Sequence, residues 1–246
     1  MNFLIGLLGG FFGGLVGLGG GVILIPLMVS LRTLSQHTAH GTSLVAVVFT
    51  GLAGAAAYLL RGAVDWHASA LLALSATCTA RFGARYAHSL PERKLKKAFG
   101  AFLIVVSVLI IVKAYLPAES SPVSAGTKAA VLLLTGAGTG FLSGMMGVGG
   151  GTLMIPAMVL FAAMGQHTAQ GSSLLAMVPV GAAGALTHYK LGNVQGEMLP
   201  GLIAGVAAGG YLGGTAANFL PELYLKYIFA VILTWLGSRY LGLKLF

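Results

Sequence analysis

The sequence predicts an all-α integral membrane protein of two homologous halves, with about 8–10 helical membrane segments, some of them short or broken at glycine. Three observations carry that prediction. Apolar residues make up 57% of the chain and charged residues 8%, against roughly 25% charged in soluble domains. The apolar runs reach or exceed the roughly 20 residues that span a bilayer core, and they are continuous instead of alternating, which favours helices over a barrel. Finally, the chain matches itself at an offset of 130: residues 10–64 and 140–194 share 26 identical pairs in 55 positions without a gap.

The first half, 1–116, opens on MNFLIGLLGG and stays apolar to residue 31. It has no basic opening and no small-residue cleavage site, so this segment is expected to remain in the protein and not to act as a signal. GLGGG at 17–21 cuts the run, because each glycine weakens a helix by roughly 1 kcal/mol against alanine. A short helix carrying Pro26 follows, then QHTA at 36–39 and a helix over 44–60, for which Thr42 and Ser43 are expected N-caps and Thr38 an earlier one. The small-residue stretch ATCTARFGARYAHSL ends in Arg81 and Arg85, which are expected to snorkel to the interface. PERKLKKAFG reads as a basic anchor at the lipid headgroups, and 98–112 with its flanks as a span.

The polar connector PAESSPVSAGT, 117–127, leads into the second half, 128–246. There 129–164 is cut by GVGGG at 147–151, a short helix carries Pro156, and QHTA returns at 166–169 before a helix over 174–189. Ser172, Ser173 and Thr168 are its expected caps. GLIAGVAAGGYLGGTAAN has small residues at helical spacing, suited to close helix packing, and 198–220 and 223–237 complete the predicted spans.

Parity depends on the breaks. One broken crossing per run gives four crossings per half and a Lys/Arg split of 8 against 6. Two elements per run give five per half. One side then holds Arg32, Arg81, Arg85, Arg93, Lys94, Lys96, Lys97, Lys190, Arg239 and Lys244, and the other Arg61, Lys113, Lys128 and Lys226. Ten against four favours inverted halves with both termini cytoplasmic, whether the short helices cross fully or re-enter.

Composition excludes several functions. The excess of 14 Lys and Arg over 5 Asp and Glu sits in short stretches between apolar runs, so it orients the chain and is not a nucleic-acid patch. A lone Cys78 excludes an internal disulfide, and its expected role is packing. GGLVGLGGG lacks the GK[ST] ending and the preceding strand of a phosphate loop. Metal ligation by His37, His40 and His67, or catalysis by paired carboxylates, would need acidic partners, and Asp65, Glu92, Glu119, Glu197 and Glu222 are all expected in loops. No enzyme activity, metal or cofactor is expected.

The polar motifs remain, and they have two readings. As structure, their hydroxyls satisfy orphan N–H groups and each histidine bonds a nearby carbonyl. As function, broken helix ends present N–H donors and partial positive charge that suit a small anion. Gly19, Gly20, Gly21, Gly149, Gly150 and Gly151 allow close backbone approach. Gln36, Thr38, Ser43, Gln166, Thr168 and Ser173 add neutral donors, and His37 and His167 add groups able to titrate near neutrality. Four donor clusters from two inverted halves are expected to converge near the bilayer centre.

GLVGLGGGVILIP with QHTAHGTSL, echoed by GMMGVGGGTLMIP with QHTAQGSSL, and the later LPERKLKKAFG and LPELYLKYIFA, resemble the TauE/SafE family over 1–246. The resemblance implies an exporter of sulfite or organosulfonates in the bacterial inner membrane. Thiosulfate carriers of related architecture use several cysteines, and this chain has only Cys78. The expected partners are a small anionic substrate and the lipid bilayer, with a homo-oligomer left open. An anion channel and a non-transporting membrane scaffold are the rival readings.

Overall fold

In lipid, a backbone group can find its partner only inside its own helix or in a neighbouring one, and the fold follows from that need. A computed structural model describes residues 1–86, 92–115, 124–147 and 149–242, without the side chains of 92–96, 98, 99, 102, 113 and 114. The anchor side chains Arg93, Lys94 and Lys96, most of the connector including Glu119, and Lys244 lie outside that description. The described residues contain no strand and form ten helices. The first half gives α1 (Asn2–Val16), α2 (Gly21–Arg32), α3 (Gln36–Leu59), α4 (Trp66–Tyr86) and α5 (Glu92–Tyr115). The second gives α6 (Ala125–Met146), α7 (Gly151–Leu160), α8 (Gln166–Lys190), α9 (Leu199–Phe219) and α10 (Glu222–Leu241), with one 3-10 turn at Gly196–Met198.

The breaks therefore produce two elements each, and each half has five. Gly17 and Gly147 end α1 and α6 in the left-handed conformation, at φ 77° and 64°, which glycine adopts without a Cβ clash. By length and composition, α3, α6 and α8 can each cross a membrane. α9 and α10 occupy the runs expected to span, but glycines in the first and Glu222, Lys226 and Arg239 in the second dilute their apolarity. Cys78 differs from expectation: it lies on an exposed face of α4 instead of in the packing.

Helices of one half pack on helices of the other. On α1, Gly6, Gly10 and Gly14 meet Leu202, Val206 and Gly210 of α9 in the same direction along both, so the two run parallel. The same seam recurs 130 residues on, where Gly136, Gly140 and Gly144 of α6 meet Leu72, Ala76 and Ala80 of α4. Small residues four apart let backbones touch, the packing that dispersion alone rewards in lipid. α3 and α8 form the centre: Gly51 lies against Leu174, and Gly181 and Gly184 against Leu44, so these corresponding helices run antiparallel. α5 and α10 are antiparallel as well, with Gly100 against Gly237 and the Ser107 hydroxyl donating to the Ala230 carbonyl at 2.9 Å. Asp65 ties the halves at the rim. It accepts the Ala68 N–H at 2.9 Å, capping α4, and holds Lys128 of α6 at 3.1 Å.

The seam gives a direct test. A side chain at Gly140 collides with the Ala76 carbonyl, whereas nothing lies within 4 Å of a Cβ at Gly138. Gly140→Val is expected to cost at least about 2 kcal/mol by overpacking, and Gly138→Val less than about 1 kcal/mol. Thermal unfolding in detergent measures both.

Candidate functional site

The two glycine breaks meet. A Cβ at Gly149 would lie 2.7 Å from the Leu18 carbonyl oxygen, and one at Gly151 would collide with the Gly17 carbonyl. Backbone rests on backbone there, and only glycine permits it. Each break also rests on the central helix of the other half. A Cβ at Gly17 would lie 2.9 Å from the Gln170 Cα, and one at Gly147 2.8 Å from the His40 Cα.

The conserved offset reappears in the hydrogen bonds. Ser43 donates to the Gly147 carbonyl and Ser173 to the Gly17 carbonyl, each at 2.8 Å. Tyr58 reaches the Gly14 carbonyl at 3.2 Å, and its counterpart His188 reaches the Gly144 carbonyl at 3.2 Å through Nε2. The Gln195 N–H donates to Thr42 at 3.0 Å and the Asp65 N–H to Ser172 at 2.8 Å. The serine and threonine bonds span the two halves, those of Tyr58 and His188 stay within one, and each member of a pair sits 130 residues from its counterpart.

These contacts correct the expected capping. α3 begins at Gln36 and α8 at Gln166, so Thr42, Ser43, Ser172 and Ser173 lie within the helices, where the nearby N–H groups are already bonded along the axis. Ser43 and Ser173 donate instead, satisfying the orphan carbonyls that end α1 and α6. Thr38 is no N-cap either: Ser35 caps α3, accepting the Thr38 N–H at 3.1 Å. Thr168 is also one turn inside its helix, whose N-cap is Gly165.

The carbonyl ends are thus engaged, and the N-terminal ends facing them carry no side-chain cap. α2 starts at N-cap Gly20 and α7 at N-cap Gly150, with no side-chain cap on either. Gly19 to Gly21 and Gly149 to Gly151 are all buried. A hollow beside the second break, lined by Thr139, Ser143, Gly149 and Thr152, has about 10 Å³ of free volume, enough for about one water. The Thr139 hydroxyl is buried there without a partner.

The two QHTA ends are not brought to the breaks. Seven residues, or about 10 Å of helix, separate Gln36 from Ser43 and Gln166 from Ser173. Because α3 and α8 are antiparallel, the two ends lie at opposite ends of that pair. They also differ. Gln36 is exposed, and His37 and Thr38 are half-buried. Two residues before Gln36, Leu34 lines a cavity of about 310 Å³ together with Arg32, Thr33, Glu197 and Gln195, whose N–H bonds Thr42. Gln166 is fully buried, its backbone N–H donates to Glu222 Oε1 at 3.0 Å, and His167 Nε2 donates to the Ala217 and Leu220 carbonyls.

Sequence reasoning missed Glu222, placed in a loop, and Tyr58 and Gln170. Tyr58 is the residue that aligns with His188 in the repeat, and Gln170, bonded to Tyr58 at 3.0 Å, is the residue that aligns with His40. That alignment is the signal that could have found them.

Ser43→Ala and Ser173→Ala each leave a buried carbonyl without its donor, and each is expected to cost about 1–3 kcal/mol. Gln36→Ala, on an exposed side chain, is expected to stay within about 0.5 kcal/mol. Thermal or denaturant unfolding in detergent separates the two classes.

Comparison with known proteins agrees with this geometry. A family model described as "Sulfite exporter TauE/SafE" matches residues 2–240. "Probable membrane transporter protein YunE" of Bacillus subtilis (strain 168) is 27% identical over 97% of this chain and 97% of its own length. A "Probable membrane transporter protein" of Xylella fastidiosa (strain 9a5c) is 33% identical over 85% of this chain and 81% of its own. No solved structure matches. With its family match running from the first helix to the last, the chain is a membrane transporter and belongs to the TauE/SafE sulfite exporter family.

Proposed function

We propose that this transporter exports a small sulfur-containing anion, sulfite or an organosulfonate, binding it between the uncapped N-termini of α2 and α7. The observation that carries this reading is the pairing of two buried, glycine-built helix starts with no side-chain cap, in contact across the two halves. Helix starts offer N–H donors and partial positive charge, and glycine lets an oxyanion reach them. Ser43, Ser173, Tyr58 and His188 engage the carbonyls that would otherwise repel an anion at the same depth. The family description supplies sulfite as the class of cargo.

The packing supports transport by alternating access. With the tips in contact, an anion larger than water binds only as the breaks part. The antiparallel courses of α3 and α8 support inverted halves, and such halves exchange roles when one rocks against the other. The QHTA ends then serve as the two mouths: Gln36, His37 and Thr38 at the end that follows the cavity-lining Leu34, and Gln166, His167 and Thr168 at a closed end. His37 and His167 are the groups on these mouths suited to carry a coupled proton. The excess of basic residues on one side supports an inner-membrane location with both termini cytoplasmic.

A ligand that prefers the folded state raises its apparent stability, by about 2.7 kcal/mol at a hundredfold excess over Kd. Sulfite or an organosulfonate is expected to raise the unfolding temperature of the purified protein, while matched carboxylates do not. Proteoliposomes are expected to show uptake stimulated by the same anion on the far side. A carboxylate-only response defeats the cargo, and flux without exchange defeats the carrier cycle.

A further inference from the structure

The start of α8 is held in an unusual way. Its N-cap is Gly165, which offers no side chain, and the cap comes from another helix: Glu222 Oε1, at the start of α10, accepts the Gln166 N–H at 3.0 Å. The glycine leaves room for it, since a Cβ at Gly165 would lie 2.7 Å from that oxygen. The matching end of α3 is built differently, with Ser35 in the place of Gly165 and its own hydroxyl as the cap. The Gln166 side chain is fully buried, yet neither its amide nitrogen nor its amide oxygen has a hydrogen-bond partner. A buried amide left that way costs stability, and a ligand donor or acceptor is what it lacks.

The charges around Glu222 are few. His167 Nδ1 lies 3.8 Å from Oε1, Lys226 Nζ 3.9 Å from Oε2, and Arg61 rests on the Phe219 ring at 5.1 Å. His167 Nε2 points at two carbonyls, 3.2 and 3.1 Å away, and so carries a proton, with Nδ1 on the carboxylate side. One proton added to the His167–Glu222 pair removes one negative charge from the end of α8, whichever of the two holds it.

We propose that the start of α8 is a second subsite for the transported anion, kept closed by the Glu222 carboxylate, which occupies it as a tethered stand-in. The inference rests on the anion-transport reading above. When the pair is protonated, the carboxylate gives up the Gln166 N–H, a small oxyanion takes its place on the helix end, and the Gln166 side chain turns to donate its amide nitrogen to it. Glu222 is a positioning residue and controls access to the subsite by charge.

Methanesulfonate is the suitable probe, because its charge is constant where sulfite itself titrates. Its affinity for the purified full-length protein is measured by calorimetry at pH 8 and pH 6. In the wild type, binding is expected to strengthen as pH falls. Glu222→Gln keeps an acceptor for the N–H and loses the charge, and is expected to bind about fivefold tighter than wild type at pH 8, with no further gain at pH 6. Glu222→Asp keeps the charge and loses the reach, and is expected to bind tighter than wild type at pH 8 as well, which decides the matter if the Gln variant does not fold. Wild-type binding that both variants merely match or weaken at pH 8 overturns the subsite and leaves Glu222 a structural cap. Absence of binding by the wild type and both variants, to this and every anion of the stability screen, is instead the failure of the transport reading.

Discussion

A helix that stops inside a bilayer leaves carbonyls at one end and N–H groups at the next, with no water to take them. Everything central in this fold answers that constraint. α1 and α6 stop at Gly17 and Gly147, and the carbonyls at their ends are taken by Ser173 and Tyr58 in one case and by Ser43 and His188 in the other. In the serine pairs the donor comes from the opposite half, so neither half could complete its own break alone. The duplication is therefore structural in consequence, because each copy supplies what the other's broken helix lacks.

Close approach makes the exchange reach. The glycine seams between α1 and α9, and between α4 and α6, bring backbones into contact along whole helix faces. They fix the first helix of one half to the fourth of the other, and α3 and α8 are held antiparallel between them. What this satisfies is one polarity only. The carbonyl ends gain donors, while the starts of α2 and α7 gain no side-chain acceptor. That imbalance leaves positive potential at the breaks, which is the physical basis for reading the centre as an anion site. The two copies are not identical in use: Gln36 is exposed, whereas Gln166 is buried with its N–H on Glu222.

Much of the fold was legible because it is written in backbone chemistry. Glycine runs at 17–21 and 147–151 announce breaks, continuous apolar runs announce helices, and the offset of 130 announces two halves of five elements. The direction of the hydroxyl bonds was not legible. Gln, His and Thr opened a helix earlier than the Gly-Thr-Ser stretch suggested, which left the expected caps Ser43 and Ser173 about two turns inside it, as donors to the other half. The convergence of the QHTA motifs was misjudged for a related reason: local sequence does not say that α3 and α8 cross near their middles and send their starts apart. Glu222 was expected in a loop; it opens α10 instead, and only tertiary packing carries it to the start of α8.

The account turns on the backbone amides of the two breaks receiving the anion together. Hydrogen exchange of peptides covering 17–24 and 147–154, followed with and without a stabilising sulfur oxyanion, observes those groups directly. Slowed exchange in both peptides at once is the predicted result. Protection confined to one break, or found only at the helix ends near Gln36 and Gln166, would contradict a shared site between them.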